Sequence, residues 1–272
     1  MRAYLGAALL VCACSNHSPA AIGADAASDA PISDAAVDAT HAADAAIQIL
    51  QGVDRAGAFS ATEAHALATT YGVVWTGVYI GGACSAGSGW SKSVVTMLNT
   101  SESWLFLPIW VGQQAPSICG RDTLTATQGT TDGEATATEM QAFGWGPNLD
   151  IPVVLDLEAG TYTYSASDSQ AYARAWRDAV RSAGYLAYVY SSATAINGLD
   201  TAGVAFDGAW PAVWDYTAYK DVTPADLTTL GNYPGTTRAW QYAGNVMTAG
   251  AGGVDADVSD FLLAPAPGGT NQ

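Results

Sequence analysis

The chain has 272 residues, of which 49% are hydrophobic, so it is long enough to bury the core of one barrel-sized domain. Its formal net charge of −16 argues against binding to nucleic acid or to an anionic membrane surface. Only three histidines occur, two of them in the polar N-terminal segment, which leaves a histidine-based nucleophilic mechanism almost no candidate base and excludes a His-rich zinc site.

The first predicted element is an export signal. Residues 1–14 contain one Arg, an apolar run and the sequence Val-Cys-Ala-Cys. The apolar run is too short to span a membrane as a helix, and its end resembles a bacterial lipoprotein cleavage motif with Cys14 as the lipid-bearing residue. An ordinary signal cut near Ala13, without lipid, is the alternative. Residues 15–47 are rich in Ala, Asp, Ser and Pro, which predicts a disordered tether.

Residues 48–265 are predicted to form one domain, followed by a disordered tail over 266–272. The predicted strands are Gly52–Asp54, Trp75–Ile80, Trp104–Val111, Ile151–Leu157, Leu186–Tyr190, Ala212–Tyr216, Arg238–Tyr242 and Gly253–Val258. The predicted helices are Ala61–Thr70, Ser93–Leu98, Gly133–Phe143, Ala166–Ser182 and one that begins near Thr223–Asp226. This alternation predicts an α/β fold of the (β/α)₈ TIM-barrel type, with a doubly wound open sheet as the runner-up.

Two cysteines lie within the predicted domain. Cys84 follows the second predicted strand and Cys119 follows the third. Adjacent parallel strands would place both loops on one face, and an exported chain is in an oxidising compartment, so a Cys84–Cys119 disulfide is expected. Two unpaired thiols are the alternative.

The most informative stretch is Ile151–Glu158, an apolar run that ends in two carboxylates. Because side chains alternate along a strand, Asp156 and Glu158 are expected to point the same way. Two crowded carboxylates repel each other, so at least one pKa should rise. Glycoside hydrolysis needs one protonated and one ionised carboxyl group in this arrangement. A pair of solvated acids at a strand end is the alternative.

Polar residues also follow the other predicted strands. They are Asp54, Gln113, Tyr190, Asp215, Gln241, Asp255 and Asp257. Reactive residues of such barrels gather at the carboxyl ends of the strands, so their recurrence predicts a cleft there. Each one alone is also compatible with a turn residue.

Four motifs in this order resemble glycoside hydrolase family 25, the lysozyme-like muramidases. They are Gly52-Val53-Asp54, Leu155-Asp156-Leu157-Glu158, Ala239-Trp240-Gln241-Tyr242 and Gly253-Val254-Asp255-Ala256-Asp257. With Pro108–Gln114 and Asp132-Gly133, the chain is more similar to the related Rv2525c-like glycoside-hydrolase-like domains, whose function is unknown. The resemblance covers most of Gly52–Phe261.

The resemblance implies a barrel with a cleft for peptidoglycan or a similar glycan. It implies that Glu158 is the general acid and that Asp156 stabilises the sugar-ring charge or orients the N-acetyl group. Asp54 and Asp255 correspond to the acids of the first and last strands. The chain departs from the muramidase pattern at Arg55, which could lower the pKa of Asp54 through an ion pair. It also lacks an aromatic-His segment on the third strand.

Three functions compete at this stage. The first is a glycoside hydrolase of the cell envelope that needs no cofactor or metal. In it Trp110, Tyr190 and Trp240 stack on sugars, and Gln113, Asp215 and Gln241 are further substrate-binding residues. The second is an inactive glycan-binding barrel, and the third is an envelope structural protein. In each case the chain is expected to be exported, either lipid-anchored in the periplasm or at the cell surface, or secreted.

Overall fold

Eight strands close into a barrel that supports the rest of the fold. The computed structural model describes residues 49–83, 85–112, 124–147, 151–157, 166–220, 222, 239–259 and 264–267. The strands, in their order around the barrel, are β1 (Leu50–Asp54), β2 (Trp75–Gly82), β3 (Leu105–Val111), β4 (Pro152–Asp156), β5 (Leu186–Ser192), β6 (Gly208–Ala212), β7 (Ala239–Thr248) and β8 (Gly252–Ser259). Strands β1 to β7 run parallel, whereas β8 runs antiparallel to both β7 and β1.

Five helices lie in the described ranges, and their ends follow from local sequence. They are α1 (Ala61–Tyr71), α2 (Lys92–Glu102), α3 (Ala126–Phe143), α4 (Ala166–Ser182) and α5 (Ala193–Thr201). In helix α1, local residues fix both ends. Ser60 and Glu63 form a reciprocal capping box at its start, and Gly72 ends it in the left-handed conformation. Within those ranges, no helix is long and apolar enough to cross a membrane.

Alternation along the strands gives the barrel an apolar interior near the amino ends of β1 to β7. The buried side chains of this interior layer are Trp75, Leu107, Ile109, Val154, Tyr188, Trp210 and Ala239. The indole of Trp75 fits only because Gly52 has no side chain, since a Cβ there would lie 2.0 Å from the ring. Because this apolar packing fills the barrel near the amino ends of the strands, inner-facing polar side chains can collect only near the carboxyl ends.

The predicted α/β barrel is confirmed, and its closure rules out the open-sheet alternative. The direction of β8 is a difference that the alternation pattern could not reveal. Strand β6 precedes the predicted segment Ala212–Tyr216, overlapping it only at Ala212, and α5 was not predicted. The predicted helix start at Thr223–Asp226 lies outside the described residues, as do the export signal and the tether.

Candidate functional site

Asp54 is the central acid at the carboxyl end of the barrel. It is the last residue of β1, and its side chain is 2% exposed. Its Oδ1 accepts a hydrogen bond of 2.7 Å from the Tyr79 hydroxyl, and its Oδ2 accepts one of 3.0 Å from Gln241 Nε2. Both carboxylate oxygens are therefore held by donors from neighbouring parts of the barrel wall.

Gln241 on β7 links Asp54 to two aromatic side chains. Its Oε1 accepts hydrogen bonds from the Tyr190 hydroxyl at 2.7 Å and from Trp214 Nε1 at 2.8 Å. Its Nε2 donates to Asp54 and, at 3.5 Å, to Asp255. Because donors surround the amide oxygen and carboxylates surround the amide nitrogen, only one orientation of this amide satisfies all four groups.

Strand β8 brings two further acids to the site. Its antiparallel register pairs Asp255 with Asp54 and Asp257 with Gly52. Asp257 is fully buried, and its Oδ1 accepts a hydrogen bond of 3.2 Å from Trp210 Nε1. Asp255 is less buried, and its Oδ1 accepts a hydrogen bond of 2.6 Å from the backbone N–H at position 245.

The backbone N–H that reaches Asp255 is supplied by a bulge in β7. The pairing register between β7 and β8 shifts between Ala243 and Val246. Within this shift, Asn245 has a φ of 50°, a left-handed conformation that Asn tolerates better than most residues. The bulge therefore directs the Asn245 backbone N–H toward the acid cluster. In a regular strand this N–H would point within the sheet, toward the neighbouring strand.

The acids are crowded enough to shift one another's titration. Burial, and then the charge of Asp255, raise the pKa of Asp54 to about 7. Burial and the charges of Asp54 and Asp255 raise the pKa of Asp257 well above its usual range. A hydrogen bond between the Asp54 and Asp257 carboxyl groups lowers the pKa of Asp54 and raises that of Asp257. The proton of this pair is therefore held on Asp257, and Asp54 is the acid that ionises first.

Arg55 does not pair with Asp54, so the ion pair suggested by the sequence is wrong. The Arg55 guanidinium instead contacts Glu63 at 2.8 Å and donates to the Ala251 carbonyl oxygen at 2.7 Å. It also lies over the ring of Phe59. Successive residues of a strand point to opposite faces, which turns Arg55 away from the barrel interior. The pKa of Asp54 is accordingly raised rather than lowered.

A cleft of about 370 Å³ opens beside this network. Its polar lining includes Asp156, the last residue of β4, and Tyr79. Burial, followed by the charges of Asp54 and Asp156, raises the pKa of Tyr79 well above its usual range. The Tyr79 hydroxyl therefore stays protonated, donates to Asp54 and separates that acid from the cleft.

The structure brings together five of the residues predicted from the sequence. They are Asp54, Asp156, Tyr190, Gln241 and Asp255. Glu158, Gln113, Cys14, Cys84 and Cys119 lie outside the described residues. Across the described ranges, no group of three or more His, Cys, Asp or Glu side chains is arranged to hold a metal ion.

Three predicted ligand-binding residues lie elsewhere. Trp110 points to the outer face of the barrel and is 7% exposed within the core beneath the helices. Trp240 is 2% exposed, packs against Tyr216 and Tyr242, and so cannot offer its ring to a sugar in this structure. Asp215 is exposed in the loop after β6, because that strand ends at Ala212.

Sequence reasoning missed Tyr79, Trp210 and Trp214 as site residues. Tyr79 could have been found from the strand pattern, because it lies four positions after Trp75 on β2. Residues an even number of positions apart on a strand share a face, which here is the inner one. Trp214 carried no such signal, since it lies in a loop whose position depends on where β6 ends. Asp257 was expected at a strand end, but no catalytic or substrate-binding role was predicted for it.

The family model of the Rv2525c-like, glycoside hydrolase-like domain matches residues 65–260. No curated protein matches the chain. Among solved structures, an uncharacterized Bacillus stearothermophilus protein is similar, with a TM-score of 0.56 and 17% identity over 77% of this chain and 95% of that one.

Two further structures share the fold. The Tat-secreted Mycobacterium tuberculosis protein Rv2525c has a TM-score of 0.53 and 16% identity, over 78% of this chain and 94% of that one. The modular autolysin LytC of Streptococcus pneumoniae, also solved with a synthetic peptidoglycan ligand, has a TM-score of 0.55 and 17% identity, over 78% of this chain and 46% of that one. At these identities the similarity shows the fold alone.

Proposed function

Because the chain belongs to the Rv2525c-like glycoside hydrolase-like domain family, we propose that it binds and hydrolyses peptidoglycan or a similar N-acetylated glycan. One observation carries this proposal. The cleft at the carboxyl end of the barrel is lined by Asp156 and is backed by Asp54 through Tyr79. A carboxyl group that lines an open cleft, with a second acid of raised pKa behind it, suits acid-catalysed glycoside cleavage. The autolysin LytC, which shares the fold, supports a cell-wall glycan as the substrate class.

In the proposed mechanism, Glu158 protonates the oxygen of the leaving sugar. Its place in the sequence, two residues after Asp156, the last residue of β4, supports this role. Asp156 stabilises positive charge on the sugar ring or orients the acetamido group of the substrate. Asp54 accepts the hydrogen bond of the Tyr79 hydroxyl and so holds this side chain in place at the cleft wall. These steps use carboxyl and hydroxyl groups of this chain.

A second candidate function is glycan binding without turnover. The observation that favours it is the enclosure of Asp54, which is 2% exposed and has both oxygens hydrogen-bonded. An acid held in this way cannot contact a sugar unless Tyr79 or Gln241 moves. The barrel would then present the cleft as a recognition surface only.

The proposed location is the cell envelope. A lipid on Cys14 would anchor the chain, and residues 15–47 would tether the barrel away from the membrane. A Cys84–Cys119 disulfide would link two loops of the exported domain. The secretion of the similar protein Rv2525c supports export. Intact-mass measurement of the purified protein, with and without reductant, tests both modifications.

Release of reducing ends from purified peptidoglycan tests the proposed activity. We expect the wild-type protein to release them and Glu158→Gln to lower the rate by about 10²–10⁴-fold, the usual contribution of a general acid. The matched control is Glu134→Gln, which changes an exposed glutamate on α3 and should leave the rate unchanged.

Sedimentation of the protein with the same peptidoglycan separates the two candidate functions. Binding without release by the wild type would select the glycan-binding barrel. Neither binding nor release would refute both. Full activity of Glu158→Gln would remove Glu158 from the mechanism while leaving the substrate class in place.

A further inference from the structure

Trp214 differs from every other tryptophan in the chain. All nine tryptophans of the sequence lie within the described ranges. Trp214 is 65% exposed, and the other eight are buried. An indole is large and mostly apolar, so leaving one in solvent forgoes hydrophobic stabilisation that the other eight obtain.

The exposed indole is nevertheless held in one orientation. Its Nε1 donates to Gln241 Oε1 at 2.8 Å. One face lies over Gly244, where an added Cβ would be only 2.8 Å from Cε2 of the ring. A side chain at position 244 would push the ring away, so Gly244 allows this packing. The opposite face is left to solvent as a flat, preorganised apolar surface.

The hydrogen bond of Trp214 places this surface at the acid cluster. The same Gln241 amide that accepts from Trp214 donates to Asp54 and Asp255. The ring is thus connected through a single side chain to two of the acids at the carboxyl end of the barrel. A ligand that rests on Trp214 would lie at the rim of the same opening.

We propose that Trp214 is a sugar-stacking platform that binds a pyranose ring of an extended glycan at the β6–β7 side of the barrel opening. This inference rests on the proposed function and specifies its substrate further. The apolar face of a pyranose matches a flat indole surface, and the half-buried Asp255 carboxyl group, which Gln241 links to Trp214, can accept from sugar hydroxyls.

The position of the platform predicts a substrate of several sugar units. The cleft is lined by residues of β2, β3 and β4 and of the segments that follow β1 and β2, whereas Trp214 follows β6. In a closed barrel with strands in sequential order, β2 and β6 lie on opposite sides. A glycan that occupies the cleft and also stacks on Trp214 must therefore cross the opening, which one sugar ring cannot do.

Fluorescence quenching provides a direct test, because only one tryptophan is exposed. Acrylamide is a suitable quencher, since it is neutral and the net charge of −16 does not repel it. The full-length protein is titrated with β-1,4-linked N-acetylglucosamine as monosaccharide and hexasaccharide. We expect the hexasaccharide to bind and to protect the fluorescence from acrylamide, and the monosaccharide to do neither.

Three variants identify the residue responsible. Trp214→Ala should weaken hexasaccharide binding about tenfold or more, because the stacking surface is removed. Trp214→Phe keeps an aromatic face but loses the donor to Gln241, so its affinity should stay within about threefold of wild type. Met247→Ala, at a 75% exposed residue of β7, is the matched control and should change nothing.

The outcomes separate the two proposals. If the hexasaccharide binds wild type and Trp214→Ala equally and leaves quenching unchanged, the platform is refuted and the glycan-binding function stands. If the wild type binds no hexasaccharide and no peptidoglycan, both fall together. Near-ultraviolet circular dichroism checks that each variant is folded, and protection of the wild-type fluorescence remains a test that needs no variant.

Discussion

Asp54 and Asp257 contact each other inside the barrel, and two buried carboxylates in contact cannot both be ionised at neutral pH. Their other partners decide which one keeps the proton. Asp54 accepts hydrogen bonds from Tyr79 and Gln241, which stabilise its charge. Asp257 Oδ2 is buried, and no donor among the described residues reaches it. A proton held on Asp257 and donated to Asp54 is therefore favoured over the reverse arrangement.

The Tyr79 hydroxyl should set the pH at which Asp54 ionises. Tyr79→Phe removes a hydrogen bond to the charged form, which raises the pKa of Asp54 further above its value of about 7. A hydrogen bond to a charged group contributes about 1.5–3 kcal/mol, so the acid limb of the pH profile should move up by about one unit or more. Peptidoglycan turnover measured against pH checks this, or glycan binding if there is no turnover.

A control tyrosine distinguishes this effect from loss of a buried hydroxyl in general. Tyr185 donates to the Trp145 carbonyl oxygen at 2.7 Å, away from the acid cluster. Tyr185→Phe should therefore leave the pH profile in place. If Tyr79→Phe also leaves the profile in place, Asp54 does not control the pH dependence of the site.

At the level of elements, the strand predictions succeeded where the pattern was strong and failed where it was weak. The apolar run before Asp156 gave β4 almost to the residue. Strand β6 contains Gly208 and Pro211, both poor strand formers, whereas the following Ala212–Tyr216 contains Val, Trp and Tyr, which are common in strands, and was predicted instead. Helix α5 was missed because Asn197 and Gly198 weaken its helical pattern.

Part of the site could be predicted because some of its acids follow strands with a strong sequence pattern. Acids at the ends of well-patterned strands, such as Asp54 and Asp156, follow from alternation alone. Asp257 could not be assigned a role, because its contact with Asp54 depends on β8 running antiparallel. Trp214 depends on the loop after β6 and on Gly244 across from it, which are tertiary contacts that a one-dimensional pattern does not contain.

Helices α3 and α4 pack closely enough to make a glycine substitution informative. At Gly129 in α3, an added Cβ would lie 2.3 Å from the Tyr172 backbone oxygen of α4. Gly129→Ala should therefore destabilise the fold, because overpacking costs about 1–3 kcal/mol and exceeds the gain of about 1 kcal/mol in helix propensity. Urea unfolding measures the difference.

Gly198 in α5 is the matched control for that substitution. A Cβ there would meet nothing within 4 Å. Gly198→Ala should stabilise the protein by about 0.5–1 kcal/mol, because it gains helix propensity without a clash. Two substitutions of the same type are thus expected to act with opposite signs. Equal effects would mean that the α3–α4 contact is looser than the structure shows.

For the whole molecule, the notable feature is that three acids repel one another inside the barrel. The net charge of −16 is spread over the chain and is screened by salt where it is exposed. Asp54, Asp255 and Asp257 are instead confined together, and all three have raised pKa values, with burial as the first cause. Their ionisation therefore affects folding stability more than that of the surface acids.

The protein should accordingly become more stable as the pH is lowered from about 8 to about 5. The pKa of Asp54 is about 7 in the folded state against an ordinary value of 3.8, so the folded chain binds the additional proton. This stabilisation is complete below about pH 4 and is lost as the pH rises through about 7. Its size is of the order of a few kcal/mol, and calorimetric unfolding across this range measures it.

Asp257→Asn tests whether the buried pair is the source of this pH dependence. An Asn side chain can donate to Asp54 as the protonated acid does, but it cannot ionise. The variant should fold, leave the pKa of Asp54 near its wild-type value and show a flatter rise of Tm toward low pH, because the raised pKa of Asp257 no longer contributes. Asp200→Asn, at an exposed residue of α5, should keep the wild-type slope. If Asp257→Asn keeps that slope as well, the pH dependence arises outside the Asp54–Asp257 pair.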